Sequence, residues 1–282
     1  MKFLKPISDK NLKMGKYGLI GDPILHSKSP ALFSAAYGLQ LSADGRYAGI
    51  AGKDPTYELI EADTCKKALE KFRCGNFNGI NVTSPFKEEV MKYVDVADRI
   101  SSVLGSANIL IKRDDGIYSF NSDYFGVKDT VSSPAVRGLG MENMAAGRPA
   151  LVVGAGGAGK AAALALCDSG FETVIANRSS SHAAPFAEKI GASYMSLEDM
   201  GKNLSRFGLI IYALSFVIPQ LENVRLNGKV LFEANYAHPH FRLSGASYIS
   251  GKYWLLNQAV PAYKLFTGVD PDRDAMKRAI GL

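Results

Sequence analysis

Cysteine is scarce in this chain, and the little there is has no pattern. Cys65, Cys74 and Cys167 are the three cysteines, with no CxxC spacing among them, which leaves neither a disulfide framework nor a zinc ligand set. They are expected as reduced thiols. His238 and His240 flank Pro239, yet no cysteine or carboxylate cluster accompanies them, so they read as loop histidines and no metal is expected. Long apolar runs are missing as well. The longest, Leu209 to Pro219, is interrupted only by Ser215 and falls short of the roughly 18 residues a membrane span requires; it reads as a buried strand. Met1 to Lys16 scatters lysines among single apolar residues and offers no apolar stretch ending in small residues, so no secretory signal is expected and the cytoplasm is. Because Met1 to Gly15 also shows no periodic apolar face, its removal is expected to leave folding and activity intact. A chain beginning at Lys16 would check this by circular dichroism and assay.

Low-complexity segments and internal repeats are absent too. An apolar fraction of 47% with 21% charged residues describes a packed globular chain. The net charge of +6 comes from 33 Lys and Arg against 27 Asp and Glu. These cations are spread along the sequence with no stacking-aromatic motif beside them, so a phosphate-bearing small ligand is a better expectation than nucleic acid. With 282 residues, two modest domains are expected, since single cores stop growing at roughly 250 to 300 residues.

Short apolar runs alternate with helical patterns, which is the signature of sheets covered by helices, and both halves read as α/β. In the first half Tyr17 to Gly21, Arg46 to Ala51 and Gly79 to Thr83 read as strands, with helices at Pro30 to Tyr37 and Cys65 to Phe72. Ala107 to Lys112 and Ile117 to Asn121 flank Asp114, Asp115 and Gly116, a hairpin signal. A short helix follows Asp123. Ser132 to Gly147, with Pro134 and several glycines, reads as a linker or an irregular surface excursion. Beyond it Ala150 to Val153, Thr173 to Ala176, Leu209 to Ala213 and Lys229 to Ala234 read as strands, Ala158 to Ser169 as a helix, and Asn257 to Leu282 as helical with a break near Gly268 to Pro271.

The strand Ala150 to Val153 runs into Gly154, Ala155, Gly156, Gly157, Ala158 and Gly159. That is GxGxxG between a strand and a small-residue helix, the context a dinucleotide fingerprint demands. Gly154 permits the tight turn, Gly156 lets the backbone approach a pyrophosphate, and Gly159 lets helix and strand pack closely. The helix N-terminus then offers free N–H groups to the phosphates. A turn that packs tightly without a ligand is the plainer alternative. The next strand ends in Ala176, Asn177, Arg178 and Ser179. The carboxylate that would accept from a ribose 2′-hydroxyl is missing, and Arg178 offers a planar charged fork suited to a 2′-phosphate, so NADP matches better than NAD; a solvated strand-end charge is the plainer alternative.

In GDPILHSKSP, Gly21 to Pro30, Ser29 can cap a helix with Pro30 at its first position while Ser27 sits in the preceding turn. NVTSPFKEEV, Asn81 to Val90, repeats the pattern with Ser84 as cap and Pro85 as first helical residue. Lys87 would then stand third in the helix, where its charge opposes the macrodipole. It reads either as a solvated lysine or as one with a ligand or carboxylate partner.

These segments, together with FNSDYFGV (Phe120 to Val127), VVGAGGAGKAA, ANRSS and LLNQAVPAYKLFTG (Leu255 to Gly268), resemble the motif series of the shikimate dehydrogenases, in that family's order. The resemblance implies an N-terminal α/β substrate-binding domain, residues 1–123 completed by 256–282, and a doubly wound Rossmann-type NADP-binding domain, residues 124–255. It implies NADPH-dependent reduction of 3-dehydroshikimate to shikimate by a monomer or homodimer, with no nucleic-acid or membrane partner. Lys87 and Asp123 would be the catalytic pair. Ser27, Ser29, Thr83, Asn108 and Gln258 would hold the substrate's hydroxyls and carboxylate, with Tyr236 nearby. Gly154 to Gly159, Asn177, Arg178, Ser179, Ala213 and Leu214 would hold the cofactor. Where the family carries an Asn-Ala-Thr-like loop with a nearby glycine, this chain reads Tyr212, Ala213, Leu214, Ser215, Phe216, Val217. A relative that also accepts quinate, and a non-catalytic dinucleotide-binding relative, are the alternatives.

Overall fold

The computed structural model describes residues 15–37, 40–41, 47–48, 56–136, 138 and 147–282. The segment expected to be dispensable lies outside them except for Gly15, and so does most of the stretch from Ser132 to Gly147. The chain forms two compact units, Met1–Ser122 with Gln258–Leu282, and Asp123–Asn257.

The first unit contains β1 (Lys16–Gly21), the two-residue strands β2 (Gln40–Leu41) and β3 (Tyr47–Ala48), β4 (Thr56–Glu61), β5 (Phe77–Val82), β6 (Val96–Ala97), β7 (Ile109–Arg113) and β8 (Gly116–Phe120). Its main sheet runs β4-β1-β5-β7-β8-β6. β1 is parallel to both neighbours, while β5, β7 and β8 are antiparallel in turn. β1 is buried on both faces from Tyr17 onward, as a strand between two parallel neighbours must be, which is why it reads as an unbroken apolar run. The helix Cys65–Cys74 covers one face. It buries Cys65, Ala68, Leu69 and Phe72, the i, i+3, i+4, i+7 stripe of an amphipathic helix, and Thr64 caps it by accepting from the Lys67 N–H at 3.3 Å.

The strand expected over Arg46 to Ala51 is a strand where it is described, at Tyr47–Ala48, and pairs with Gln40–Leu41; the strand that pairs with β1 on that side, missed in the sequence, is Thr56–Glu61. β4 is an edge strand that buries only Ile60, so it carries Glu58 and Glu61 and has no apolar run. One sequence expectation needs correction. After β5, Ser84 and Pro85 do not open an α-helix. Their peptide bond is cis, and a turn closes from the Phe86 N–H to the Thr83 carbonyl at 3.0 Å. Phe86 and Val90 then drop into the core, leaving room only for a short 3-10 segment, Glu89–Tyr93. Lys87 therefore sits in a turn. A smaller shift affects the first helix, Ser29–Ala36, in which Ser29 is already helical and does not cap.

The second unit holds β9 (Ala150–Val153), β10 (Thr173–Ala176), β11 (Ser193–Met195), β12 (Leu209–Tyr212), β13 (Val230–Glu233) and β14 (Ser247–Ser250). All are parallel in the order β11-β10-β9-β12-β13-β14, the doubly wound arrangement in which strand order reverses between β9 and β12. β9, β10, β12 and β13 are each wholly buried. β11 and β14, missed in the sequence, are short edge strands with mixed exposure. The helix Asp123–Val131 packs on the helix Gly157–Asp168, fastened by Tyr124, whose hydroxyl donates to Asp168 at 2.7 Å. Burial raises the Tyr124 pKa, which keeps that hydroxyl a donor. No helix among the described residues is long and apolar enough to cross a membrane.

Candidate active site

In the second unit the glycine turn sits where β9 ends. Gly154 adopts φ +103°, a left-handed conformation open to glycine at little cost, and its N–H is anchored to the Ala176 carbonyl at 2.9 Å. A Cβ on Gly159 would collide with the Gly154 carbonyl oxygen, so only glycine lets this helix meet the turn. Gly156, the N-cap of the helix Gly157–Asp168, is the opposite case: it is exposed, and a Cβ there would meet nothing within 4 Å. The turn is thus closed against the protein and open above the helix N-terminus. An open face above a helix N-terminus is the shape a pyrophosphate needs. Ala155 is buried beneath it, with Gly157 and Ala158 half-exposed in the first helical turn.

At the end of β10, Arg178 is exposed and has no ion-pair or hydrogen-bond partner among the described residues. Asn177 turns its amide onto the Ser179 carbonyl at 3.1 Å, and Ser179 and Ser181 share a hydroxyl contact of 3.0 Å. The guanidinium therefore stands at a strand end with hydroxyls close to it in the chain. Ala213 continues the sheet pairing past β12 through its N–H to the Val153 carbonyl at 3.0 Å. Leu214 lies against Gly154, where a Cβ would come within 2.8 Å of its Cδ2. Residues from the ends of β9 and β12 thus border the reversal point, where dinucleotides seat in such sheets, with Arg178 one strand away at the end of β10.

In the first unit a polar cluster forms at the ends of β1, β5 and β8. The Ser27 hydroxyl accepts from the Ser29 N–H at 3.2 Å. The Asp22 N–H donates to the Ser84 carbonyl and the Thr83 N–H to the Ile20 carbonyl, so the GDPILHSKSP and NVTSP segments run side by side. Asn108 is buried at 2% exposure, and its amide nitrogen donates to the Ser122 hydroxyl at 3.0 Å and the Gln258 Oε1 at 3.2 Å. Its Oδ1 accepts from the Ser122 N–H at 2.7 Å. Asn108 and Gln258, 150 residues apart, are thereby brought together as a hydrogen-bonding surface. Asn81 extends the network, donating to the Asn108 carbonyl at 3.2 Å and accepting from the Tyr57 hydroxyl at 2.8 Å.

Lys87 is half-buried in its turn, which is pinned by the Ala107 N–H to the Lys87 carbonyl at 2.8 Å. Asp123, 6% exposed, opens the helix Asp123–Val131, where a carboxylate suits the positive helix end. Tyr236 is half-buried just beyond β13. Sequence reasoning missed Tyr57, Asn81 and Ser122. An asparagine inside the apolar run of β5 was the available signal, since a buried amide demands partners.

The substrate-binding-domain model of shikimate dehydrogenase matches residues 19–110, the shikimate/quinate 5-dehydrogenase model residues 140–230, and the shikimate 5′-dehydrogenase C-terminal-domain model residues 255–280. The NADP(+) shikimate dehydrogenase of Halorubrum lacusprofundi is 34% identical over 285 aligned residues, covering 95% of this chain and 98% of its own. A crystal structure of a shikimate dehydrogenase in complex with NADP+ superposes with a TM-score of 0.74 at 26% identity, covering 95% of each chain. The shikimate 5-dehydrogenase of Thermus thermophilus in complex with shikimate gives 0.70 at 26% identity, covering 95% of this chain and 98% of that one. With the motif order, the reversed parallel sheet and the full-length identity in agreement, the chain belongs to the shikimate dehydrogenase family.

Proposed function

We propose that this chain catalyses the reversible NADPH-dependent reduction of 3-dehydroshikimate to shikimate, a step toward chorismate and the aromatic amino acids. The observation that carries the cofactor half is the glycine turn, which leaves open space at Gly156, together with Arg178, exposed at the end of β10 and without an ion-pair or hydrogen-bond partner among the described residues. Relatives named as NADP(+) shikimate dehydrogenases support the reaction. In this reading the second unit binds NADP, with Gly154 to Gly159 under the pyrophosphate, Asn177, Arg178 and Ser179 at the 2′-phosphate, and Ala213 and Leu214 lining the other half. The first unit binds the substrate's hydroxyls and carboxylate through Ser27, Ser29, Thr83, Asn108 and Gln258, with Tyr236 contributing from the chain beyond β13. A monomer and a homodimer serve this scheme equally, and the free thiols Cys65, Cys74 and Cys167 suit a reducing cytoplasm.

When bound, the cofactor supplies the hydride. The protein has to hold the ketone and deliver one proton. Lys87 as an ammonium donates a hydrogen bond, and then its proton, to the oxygen that becomes the alcohol. Asp123 is the second member of the catalytic pair in this scheme. Asn108 presents a fixed amide because Ser122 holds both its ends, and a group held before binding loses less entropy on binding.

The test is to follow nicotinamide absorbance with shikimate and quinate, using NADP and NAD in parallel. Activity with shikimate and NADP is expected, and a clear preference for quinate would displace the substrate reading. Preference for NADP over NAD should be about 1–3 kcal/mol, the worth of hydrogen bonds to a charged group. Arg178→Ala should raise the Michaelis constant for NADP far more than that for NAD. An equal effect on both cofactors would remove Arg178 from the 2′-phosphate.

A further inference from the structure

Tyr212 ends β12 with its ring fully buried, and its hydroxyl turns back onto the loop that follows. It donates to the Phe216 carbonyl at 2.6 Å and accepts from the Ile218 N–H at 3.2 Å, so one oxygen closes the arc from strand end to Ile218. Burial raises its pKa to about 12, which keeps the proton in place for the Phe216 bond. Phe241 braces the ring edge-on, with centroids 4.8 Å apart.

A second strand end grips the same loop. Glu233 ends β13 with 0% exposure. Its Oε1 accepts from the His240 N–H at 2.7 Å, and its Oε2 from the Tyr248 hydroxyl at 2.9 Å and the Phe241 N–H at 3.4 Å. The His240 ring, placed by that anchor, has Nε2 3.1 Å from the Ser215 carbonyl. The loop so held puts Leu214 against Gly154 and leaves Phe216 60% exposed, at the reversal point of the sheet.

We propose that Tyr212, backed by Glu233, is a positioning residue for the dinucleotide: its hydroxyl holds the 213–218 loop in the fold that sets Leu214 on the glycine turn and offers Phe216 as an apolar wall to the nicotinamide half. This rests on the NADP reading above. The helix N-terminus serves the pyrophosphate with N–H groups, whereas this loop offers carbon surface, which suits a flat heteroaromatic ring. Side-chain-to-backbone bonds from two buried residues order the loop here, and the loop itself carries no polar side chain except Ser215.

Tyr212→Phe keeps the packing against Phe241 and deletes both loop bonds, leaving the Ile218 N–H unpaired. NADPH binding to the whole chain is read by nicotinamide fluorescence and calorimetry, alongside adenosine 2′,5′-bisphosphate, which carries the 2′-phosphate half without the nicotinamide. Wild type is expected to bind both. Tyr212→Phe should weaken NADPH about tenfold and leave the bisphosphate unchanged, and Phe216→Ala, which keeps every backbone bond, should show the same selectivity. Equal losses for both ligands would make Tyr212 merely structural, and unaltered NADPH affinity in Tyr212→Phe would overturn the inference. Failure of wild type to bind NADPH would remove the NADP reading itself and the inference with it.

Discussion

Lys87→Met is expected to lower the turnover number by a factor on the order of 100 to 10,000, the usual worth of general acid catalysis. The side chain stays close in length and loses the only group that can pass a proton to the alcohol oxygen in the proposed scheme. Folding should be spared, because the Lys87 backbone carbonyl and the buried Phe86 and Val90 hold the turn. The Michaelis constant for shikimate should change less than turnover, since Ser27, Ser29, Asn108 and Gln258 remain. Asp123→Asn should fall in the same range. If the two residues act as one unit, Lys87→Met with Asp123→Asn will be scarcely worse than the poorer single variant. Strictly multiplicative losses would show that they work separately, and turnover near wild type in Lys87→Met would end the proton-donor assignment. Steady-state turnover in both directions, with thermal unfolding as the folding control, makes the measurement.

What could be read before the fold was seen follows burial. β9, β10, β12 and β13 have both faces covered, so each announces itself as an apolar run, and the glycine turn between β9 and its helix is local enough to carry its own signature. β4 escaped because an edge strand buries one face only, and Thr56–Glu61 buries a single residue. The false helix after Ser84 came from local rules that held no information on how far Phe86 and Val90 would be drawn into the core. The site divided along the same line. Serines, glycines and Arg178 stand in contiguous motifs, whereas Asn81, Ser122, Tyr212 and Glu233 acquire their roles from partners that only the tertiary fold delivers. Asn108 meets Gln258 across 150 residues of chain, and Glu233 meets His240 from the loop after β13 and Tyr248 from β14.

Two alanines in the glycine turn should have opposite consequences. Gly159→Ala places a Cβ against the Gly154 carbonyl oxygen, a backbone atom that can yield only if the Gly157–Asp168 helix lifts off β9. Helix propensity favours the substitution by about 1 kcal/mol, but overpacking against backbone costs about 1–3 kcal/mol and occasionally more. The balance is an expected Tm loss of several degrees, at roughly 2–4 °C per kcal/mol for a chain of this size class. NADPH affinity is expected to fall with it, because the N–H groups assigned to the pyrophosphate in the proposed scheme move with the helix. Gly156→Ala is the counterpart. Its φ of −72° with extended ψ is open to any residue, and its Cβ meets no protein atom within 4 Å. A poorer N-cap and a less flexible unfolded chain each change stability by about 0.5–1 kcal/mol in opposite senses, so Tm should hardly move. The methyl nevertheless stands in the space the proposed pyrophosphate occupies, and NADPH binding should weaken by about tenfold or more, the equivalent of at least about 1.4 kcal/mol. Calorimetric melting and fluorescence titration of the two variants therefore separate packing from ligand space. If Gly156→Ala bound NADPH as tightly as wild type, the open face of the turn would not be the phosphate seat, however well the sequence motif fits.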